Sequence, residues 1–284
     1  MSDDPNLLVS TGWLAARLDD PRIRILDASW HMPAAGRDAR AEYEAAHIPG
    51  AQFFDIDAIA ARGTDLPHMV APAVQFTEMV GALGIGDGDQ VVVYDNAATR
   101  SASRVWWNFR LMGIAPVAVL DGGLGKWRAE GRPVTSERAE PLPAQLNARP
   151  VPDLLRDMTQ VAAVSDGTDA VIVDARSAER FRGEAAEPRP GLRSGHIPGS
   201  RNLPFDRLYH ADGTMKDAVT LSALFTQAGV DLSRPVITSC GSGISAASLS
   251  LALERAGHRN HALYDGSWTE WGAHPDMKIA TGEQ

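Results

Sequence analysis

The chain has 284 residues, of which 44% are hydrophobic and 22% charged, with a formal net charge of -9. This length favours two domains over one, and the composition is that of a folded globular protein rather than a disordered or fibrous one. The net charge repels polyanions and argues against nucleic acid and anionic membranes as partners; with no long apolar run and no signal pattern, we expect a cytoplasmic protein.

The first half of the sequence alternates short β-branched runs with segments whose apolar residues recur at helical spacing. The runs predict buried strands at Ile23–Asp27, Gln90–Tyr94 and Val117–Leu120. Helical spacing between them predicts helices over residues 76–83 and 103–112.

A proline-rich, polar stretch separates the two halves. Its prolines are Pro133, Pro141, Pro143, Pro150 and Pro152. Proline supports neither the interior of a helix nor a central strand, so this stretch is typical of a linker. The sequence therefore predicts an N-terminal domain over residues 1–135, a linker over 136–152 and a C-terminal domain over 153–284.

The second half repeats the alternation. Strands are predicted over residues 170–174, 235–239 and 261–264, with helices over 221–228 and 244–256. Alternating strands and helices predict an α/β fold in which each half has a mainly parallel sheet flanked by helices. Ligands of such sheets bind beyond the carboxyl ends of the strands.

The two halves also share short motifs in the same order, which indicates a duplicated domain. The matching pairs are Leu26-Asp27-Ala28 with Val173-Asp174-Ala175, His47-Ile48-Pro49-Gly50 with His196-Ile197-Pro198-Gly199, and Asp121-Gly122-Gly123 with Asp265-Gly266-Ser267.

The only cysteine, Cys240, directly follows a predicted strand and precedes a predicted helix. A glycine-containing loop at a helix N-terminus directs backbone N–H groups toward one point, so it stabilises an anion and favours a nucleophilic thiolate. The alternative is a simple glycine turn beside a buried cysteine. In the first half Asp95 occupies the matching position, which predicts one catalytic half and one scaffold half.

A single cysteine also limits other chemistry. It can form neither an intramolecular disulfide nor a multi-thiolate metal site, and no cluster of ligand residues suggests a metal or an organic cofactor.

The segment Cys-Gly-Ser-Gly-Ile-Ser at 240–245 resembles the active-site loop of the 3-mercaptopyruvate sulfurtransferases of the rhodanese superfamily, which is usually Cys-Gly-Ser-Gly-Val-Thr. Ile244 and Ser245 depart from it conservatively. The resemblance extends over nearly the whole chain and includes Asp27-Ala28-Ser29-Trp30, Arg104-Val105-Trp106-Trp107 and Tyr264-Asp265-Gly266-Ser267-Trp268. It implies two tandem rhodanese domains, of which the C-terminal one passes sulfur from 3-mercaptopyruvate through a Cys240 persulfide and releases pyruvate.

The resemblance also implies roles for individual residues. Arg180, in an Arg-Phe pair, and Arg189, in a Glu-Pro-Arg triplet, are expected to hold the carboxylate and keto oxygen of the donor, since guanidinium groups match carboxylates geometrically. A solvated charged loop is the alternative for both. The cradle around the sulfur is expected to comprise Gly241, Gly243, Ile244 and Ser245.

A proton relay is the third expected component. The resemblance gives Ser242 such a role, although its hydroxyl equally suits a helix cap. We predict His47 as the distant relay histidine, with Asp38 as its orienting carboxylate. The alternative is that His47 and His196, which occupy the same motif, are structural residues that fix a loop through backbone hydrogen bonds.

The sulfur acceptor must be external because no second cysteine can resolve the persulfide, and thioredoxin, another small thiol or cyanide would serve. Three alternative functions share parts of this sequence pattern. A thiosulfate sulfurtransferase usually has a charged Cys-Arg-Lys-Gly loop, and a cysteine phosphatase needs arginine where this chain has Ala246. A non-catalytic rhodanese-like binding module normally lacks the cysteine.

Overall fold

The computed structural model describes residues 3–165 and 169–283, which form two units with the same strand order. The first unit comprises the residues up to Arg62, together with Val70–Val151 and His210–Met215. The second comprises Gly63–Met69, Pro152–Tyr209 and the residues from Lys216 onward. Each unit therefore receives one short segment from the other half of the sequence.

The first unit contains a five-stranded sheet in the order β1-β5-β4-β2-β3, and every neighbouring pair is parallel. Its elements are β1 Leu8–Val9, α1 Thr11–Ala15, β2 Ile23–Asp27, α2 Ala39–Ala45, β3 Gln52–Phe53, α3 Ala73–Ala82, β4 Gln90–Tyr94, α4 Ala102–Leu111, β5 Val117–Leu120 and α5 Gly123–Ala129.

The second unit repeats this arrangement in the order β6-β10-β9-β7-β8, again with parallel neighbours. Its elements are β6 Leu155–Arg156, α6 Met158–Ser165, β7 Val171–Asp174, α7 Ala178–Arg182, β8 Arg201–Asn202, α8 Ala218–Gln227, β9 Val236–Ser239, α9 Ala246–Arg255, β10 His261–Tyr264 and α10 Ser267–Trp271. Short 3₁₀ helices lie at Pro33–Ala35, Pro152–Leu154 and Phe205–Leu208.

The strand at the centre of each sheet is buried along its length. Residues 91–94 of β4 and all four residues of β9 are buried, as expected for parallel strands covered on both faces. The helix that follows each of them, α4 or α9, is also buried over nearly all its residues. The carboxyl end of each central strand is thus a buried, well-defined point in the fold.

Most of the residues predicted as a linker pack with the first unit. The N–H of Ala144 donates to the carbonyl of Gly81 at 2.9 Å, and the N–H of Val151 donates to the carbonyl of Leu111 at 2.7 Å. The first unit accordingly continues as far as Val151.

The predicted fold class, two α/β domains with parallel sheets and flanking helices, is confirmed. The strands that sequence reasoning missed are β1, β3, β6 and β8, each only two residues long. Two residues are too few to show a periodicity, and pairing with a neighbour defines these strands. Within the described residues, no helix combines the length and apolar character needed to cross a membrane.

Candidate functional site

Cys240 lies directly after β9, the central strand of the second sheet. The residue is only 2% exposed. Its loop, residues 240–245, leads into α9, as the sequence predicted. The fold therefore places the only thiol at the edge of the sheet where ligands of parallel α/β folds bind.

The loop turns one backbone amide onto the sulfur. The N–H of Gly243 donates to Sγ of Cys240, with an N to S distance of 3.1 Å. Gly243 has φ of 80°, a left-handed conformation that glycine adopts without steric cost. Glycine at this position therefore favours the turn that brings the amide to the sulfur.

The segment after β10 holds the start of the loop. The N–H groups of Trp268 and Thr269 donate to the carbonyls of Cys240 and Gly241, each at 2.9 Å. The N–H of Cys240 donates to the hydroxyl of Ser267 at 3.2 Å. Because these partners come from a neighbouring strand's connection, the position of Cys240 is fixed by tertiary contacts as well as by its own turn.

Arg180, on α7, lies beside this loop. Its Nη2 atom is 3.3 Å from the position that a Cβ on Gly241 would occupy. A side chain at position 241 would therefore crowd the guanidinium. Gly241 leaves room for an arginine next to the thiol.

A buried ionic cluster surrounds Arg180. Glu187 accepts hydrogen bonds from both Arg180 and Arg176. Arg176 also donates to Asp174, and its guanidinium lies 4.3 Å above the ring centroid of Trp268. Burial lowers the pKa of Arg176, but the charges of Asp174 and Glu187 outweigh it and the pKa is raised above its ordinary value. The cluster alternates cations and anions, so its charges are paired.

Arg189 contacts a histidine that sequence reasoning missed. Its Nη2 lies 3.3 Å from Nε2 of His68, a buried residue with φ of 63°. Since a guanidinium only donates, Nε2 is the acceptor and the ring proton belongs on Nδ1. The contact could not be predicted from the sequence, because 121 positions separate His68 from Arg189.

The remaining predicted cradle residues lie in the same loop. Ser242 and Ile244 are buried, and Ser245 is partly buried and precedes the first residue of α9. No hydrogen bond from the Ser245 side chain caps this helix among the described residues.

His47 and Asp38 lie in the first unit, where both have structural partners. Nδ1 of His47 lies 2.7 Å from the carbonyl of Tyr43, and Nε2 lies 3.1 Å from that of Glu137. Oδ1 of Asp38 accepts from the N–H of Ala41, which makes Asp38 the N-cap of α2. The structure thus gives Asp38 a capping role and shows no contact from it to His47 among the described residues.

His196 repeats the geometry of His47. Each ring stacks on an aromatic ring, Tyr43 in the first unit and Phe181 in the second, and its Nδ1 lies near the carbonyl of the same residue. The backbone of each histidine forms an antiparallel bridge, to Thr135 or to Ala280. This duplication favours the structural alternative for both histidines over a relay role.

A comparison with protein-family models matches the rhodanese-like domain at residues 10–130 and again at 157–274. The chain belongs to the rhodanese-like family. Its two matched stretches correspond to the two sheets, and only the second carries a cysteine at the end of its central strand.

Relatives within this family are named as sulfurtransferases. The human 3-mercaptopyruvate sulfurtransferase is 40% identical over 97% of this chain and 95% of its own length. The Arabidopsis thaliana mitochondrial thiosulfate/3-mercaptopyruvate sulfurtransferase 1 is 42% identical over 97% of this chain and 78% of its own length.

A solved structure supports the same assignment. The crystal structure of SseA from Escherichia coli, described in terms of the rhodanese fold and catalytic mechanism of 3-mercaptopyruvate sulfotransferases, superposes with a TM-score of 0.85 at 38% identity. The match covers 93% of this chain and 99% of SseA. The predicted family and its sulfurtransferase activity are confirmed.

The structure shows side chains that contact the predicted residues of this rhodanese site and that the sequence did not assign to it. Arg176 and Glu187 were visible as charged residues near Arg180, but their pairing depends on the path of the loop between them. The segment Asp265-Gly266-Ser267 is a motif in the sequence, as the counterpart of Asp121-Gly122-Gly123, yet the hydrogen bond by which Ser267 holds Cys240 appears only in three dimensions. Among the described residues, no group of three or more His, Cys, Asp or Glu side chains forms a metal site.

Proposed function

We propose that the protein transfers sulfur from 3-mercaptopyruvate through a persulfide on Cys240 to an external thiol or to cyanide. The observation that carries this proposal is the Cys240 sulfur held by the Gly243 amide, with the Arg180 guanidinium beside the same loop. The human relative that is named for this donor supports it.

The charges near the loop support a singly charged donor. Residues 241–245 are uncharged. Arg176 and Arg180 pair with Asp174 and Glu187, whereas Arg189 contacts His68, so these five charged side chains have one net positive charge. One net charge complements the single carboxylate of 3-mercaptopyruvate.

In the first half-reaction the Cys240 thiolate attacks the sulfur of 3-mercaptopyruvate. A sulfur–sulfur bond forms, and the carbon–sulfur bond breaks with its electron pair passing to the pyruvate enolate. Arg180 and Arg189 hold the donor carboxylate and keto oxygen, which stabilises the enolate charge. Protonation of the enolate carbon releases pyruvate, and we assign delivery of that proton to the hydroxyl of Ser242, which follows Cys240 by two positions in the loop.

In the second half-reaction an acceptor removes the outer sulfur. A thiolate or cyanide attacks the outer atom of the persulfide, the sulfur–sulfur bond breaks and Cys240 leaves as a thiolate. Thioredoxin, a small thiol and cyanide all fit this step. The identity of the physiological acceptor and the cytoplasmic location stay predictions.

Thiosulfate is the second candidate donor. The Arabidopsis relative is named for both donors, which favours some activity with thiosulfate here. The uncharged Gly241 and Ser242 make 3-mercaptopyruvate the preferred donor, because a dianion gains most from cations within the loop.

The test compares the two donors with the purified protein and its Cys240→Ser variant. Pyruvate and thiocyanate are measured with cyanide as acceptor, and intact mass is measured after each donor alone. We expect a preference for 3-mercaptopyruvate and a mass gain of one sulfur atom that the variant lacks. Preference for thiosulfate overturns the donor assignment, and absence of turnover with both overturns the proposed activity.

A further inference from the structure

Glu187 connects two arginines of the site. Its side chain is 2% exposed. Oε1 accepts from Nη1 of Arg176 at 2.7 Å and from Nε of Arg180 at 3.2 Å, while Oε2 accepts from Nη2 of Arg180. A buried carboxylate is stable only when it is paired and hydrogen-bonded, so Glu187 and its two arginines hold one another in place.

Arg176 is the fixed end of this connection. Its side chain is 1% exposed. Besides Glu187, it donates to both carboxylate oxygens of Asp174 and to the carbonyl of Gly195 at 2.8 Å, and it lies over the ring of Trp268. Reorienting Arg176 would break all these contacts, so Glu187 is attached to a rigid part of the second unit.

Arg180 is the adjustable end, because its side chain is 24% exposed. A guanidinium has two edges that bind a carboxylate through paired N–H groups. Glu187 occupies the Nε–Nη2 edge. Within the described residues no hydrogen bond engages Nη1, and Nη2 lies beside Gly241. The Nη1–Nη2 edge is therefore the one left for a ligand.

We propose that Glu187 is a positioning residue that presents the Nη1–Nη2 edge of Arg180 to the carboxylate of the sulfur donor. The proposal rests on the function proposed above and adds a residue to it. Glu187 acts through Arg180 and touches neither the donor nor the sulfur. Its effect is therefore confined to the half-reaction in which an anionic donor binds.

The test separates the two half-reactions in Glu187→Gln, Glu187→Asp and a control, Glu184→Gln. Glu184 pairs with Arg182, the last residue of α7, so the control removes the same charge from a neighbouring ion pair. Persulfide loading is followed by stopped flow and mass at varied 3-mercaptopyruvate. Discharge of the preloaded persulfide is followed with dithiothreitol, an uncharged thiol.

For Glu187→Gln we expect the efficiency of loading to fall about 10- to 50-fold, mainly through weaker donor binding. The amide has one acceptor oxygen and no charge, and its NH2 group would face the Nη2 donor of Arg180, so the two-point pairing that orients Arg180 is lost. Glu187→Asp keeps the charge and should recover part of this loss. Discharge by dithiothreitol should change by less than about twofold in both variants, since no donor carboxylate is bound in that step. Glu184→Gln should load like the wild type.

Normal loading by Glu187→Gln overturns the proposal. An equal slowing of loading and discharge, together with a lower melting temperature, also overturns it, because that is the result of a purely structural role. Failure of the wild type to load from 3-mercaptopyruvate would instead contradict the proposed donor. The same comparison then runs with thiosulfate, whose oxygen atoms would bind the Nη1–Nη2 edge of Arg180 in place of a carboxylate, and its loading should show the same order of variants.

Discussion

The two halves of this protein build the same loop around different side chains. Asp95 follows β4 as Cys240 follows β9. The carbonyl of Asp95 accepts from Leu124, as that of Cys240 accepts from Trp268, in both cases at 2.9 Å. The backbone anchoring of the two loops is therefore conserved within the molecule.

The difference lies in what the loop amides bind. In the first half the Asp95 carboxylate itself accepts from the N–H groups of Ala97 and Ala102, at 3.3 and 2.8 Å. In the second half the Gly243 amide reaches the sulfur of Cys240. The loop of the first half thus binds its own carboxylate, that of Asp95. In the second half the loop amide of Gly243 binds the sulfur that is proposed to react.

A second difference concerns the buried aspartate at the end of the neighbouring strand. Asp27 accepts from the N–H of Ser29, and burial raises its pKa against the lowering effect of its hydrogen bonds. The matching Asp174 pairs with the guanidinium of Arg176. The second half has therefore gained a buried cation, and this cation supports Glu187 and Arg180.

The largest effect in this comparison of the two halves is expected when the sulfur of Cys240 is removed. Cys240→Ser should lower sulfur transfer by at least about 10³-fold, because a hydroxyl is a far weaker nucleophile and cannot carry a persulfide. Turnover with 3-mercaptopyruvate and cyanide measures the loss. A mass gain of one sulfur in the variant would show that sulfur is carried elsewhere.

Arg180→Lys tests whether the second half depends on a guanidinium edge. The charge remains, but lysine cannot offer paired donors to Glu187 and to a carboxylate together. We expect kcat/KM for 3-mercaptopyruvate to fall roughly 10- to 100-fold, chiefly through KM. An unchanged KM would mean that Arg180 does not bind the donor.

Gly243→Ala tests the amide that faces the sulfur. Its φ of 80° disfavours alanine by about 1–2 kcal/mol. Relief of this strain would move the N–H away from Sγ, so persulfide loading should slow about 10-fold. Gly257→Ala is the matched control, since Gly257 has φ of 87° with no atom within 4 Å of an added Cβ. Equal loading rates for the two variants would argue against a role for the amide.

Asp95→Cys gives the first half a thiol at the position matching Cys240. We expect a destabilisation of about 1–3 kcal/mol, because the amides of Ala97 and Ala102 lose their carboxylate acceptor. The chain should still gain one sulfur atom rather than two, since Ser29 stands where the second half has Arg176. Intact mass counts the sulfurs, and a gain of two would mean that the loop alone suffices.

The smallest expected effect is the pH dependence of stability that His196 contributes. Burial lowers the pKa of His196 below its ordinary value. The neutral ring is therefore favoured by folding, and its contribution is complete above the unfolded pKa of about 6.5 and lost as pH falls toward the folded pKa. Urea unfolding from about pH 7.5 to 5.5 should show falling stability, with a shallower slope in His196→Gln. An unchanged slope would contradict this assignment.

The central elements could be predicted closely because their patterns are local. The predicted strand Ile23–Asp27 is observed with the same bounds, and the helix predicted over 244–256 is observed at Ala246–Arg255. The short edge strands could not be predicted, since only pairing defines them. For His47 the sequence left a relay role and a structural role open, because the partner that favours the structural role, Glu137, lies 90 positions away.

The two candidate donor arginines were implied by the family resemblance, whereas the sequence by itself determined the duplicated α/β design and the glycine loop around Cys240. These features depend on residue type and near-neighbour spacing, which set local backbone conformation. Tertiary structure alone decided which polar side chains meet: Glu187 with Arg176 and Arg180, and His68 with Arg189. Such pairings depend on the paths of loops around the sheet, because a buried charge is stable only when an opposite charge or a hydrogen-bond partner lies beside it.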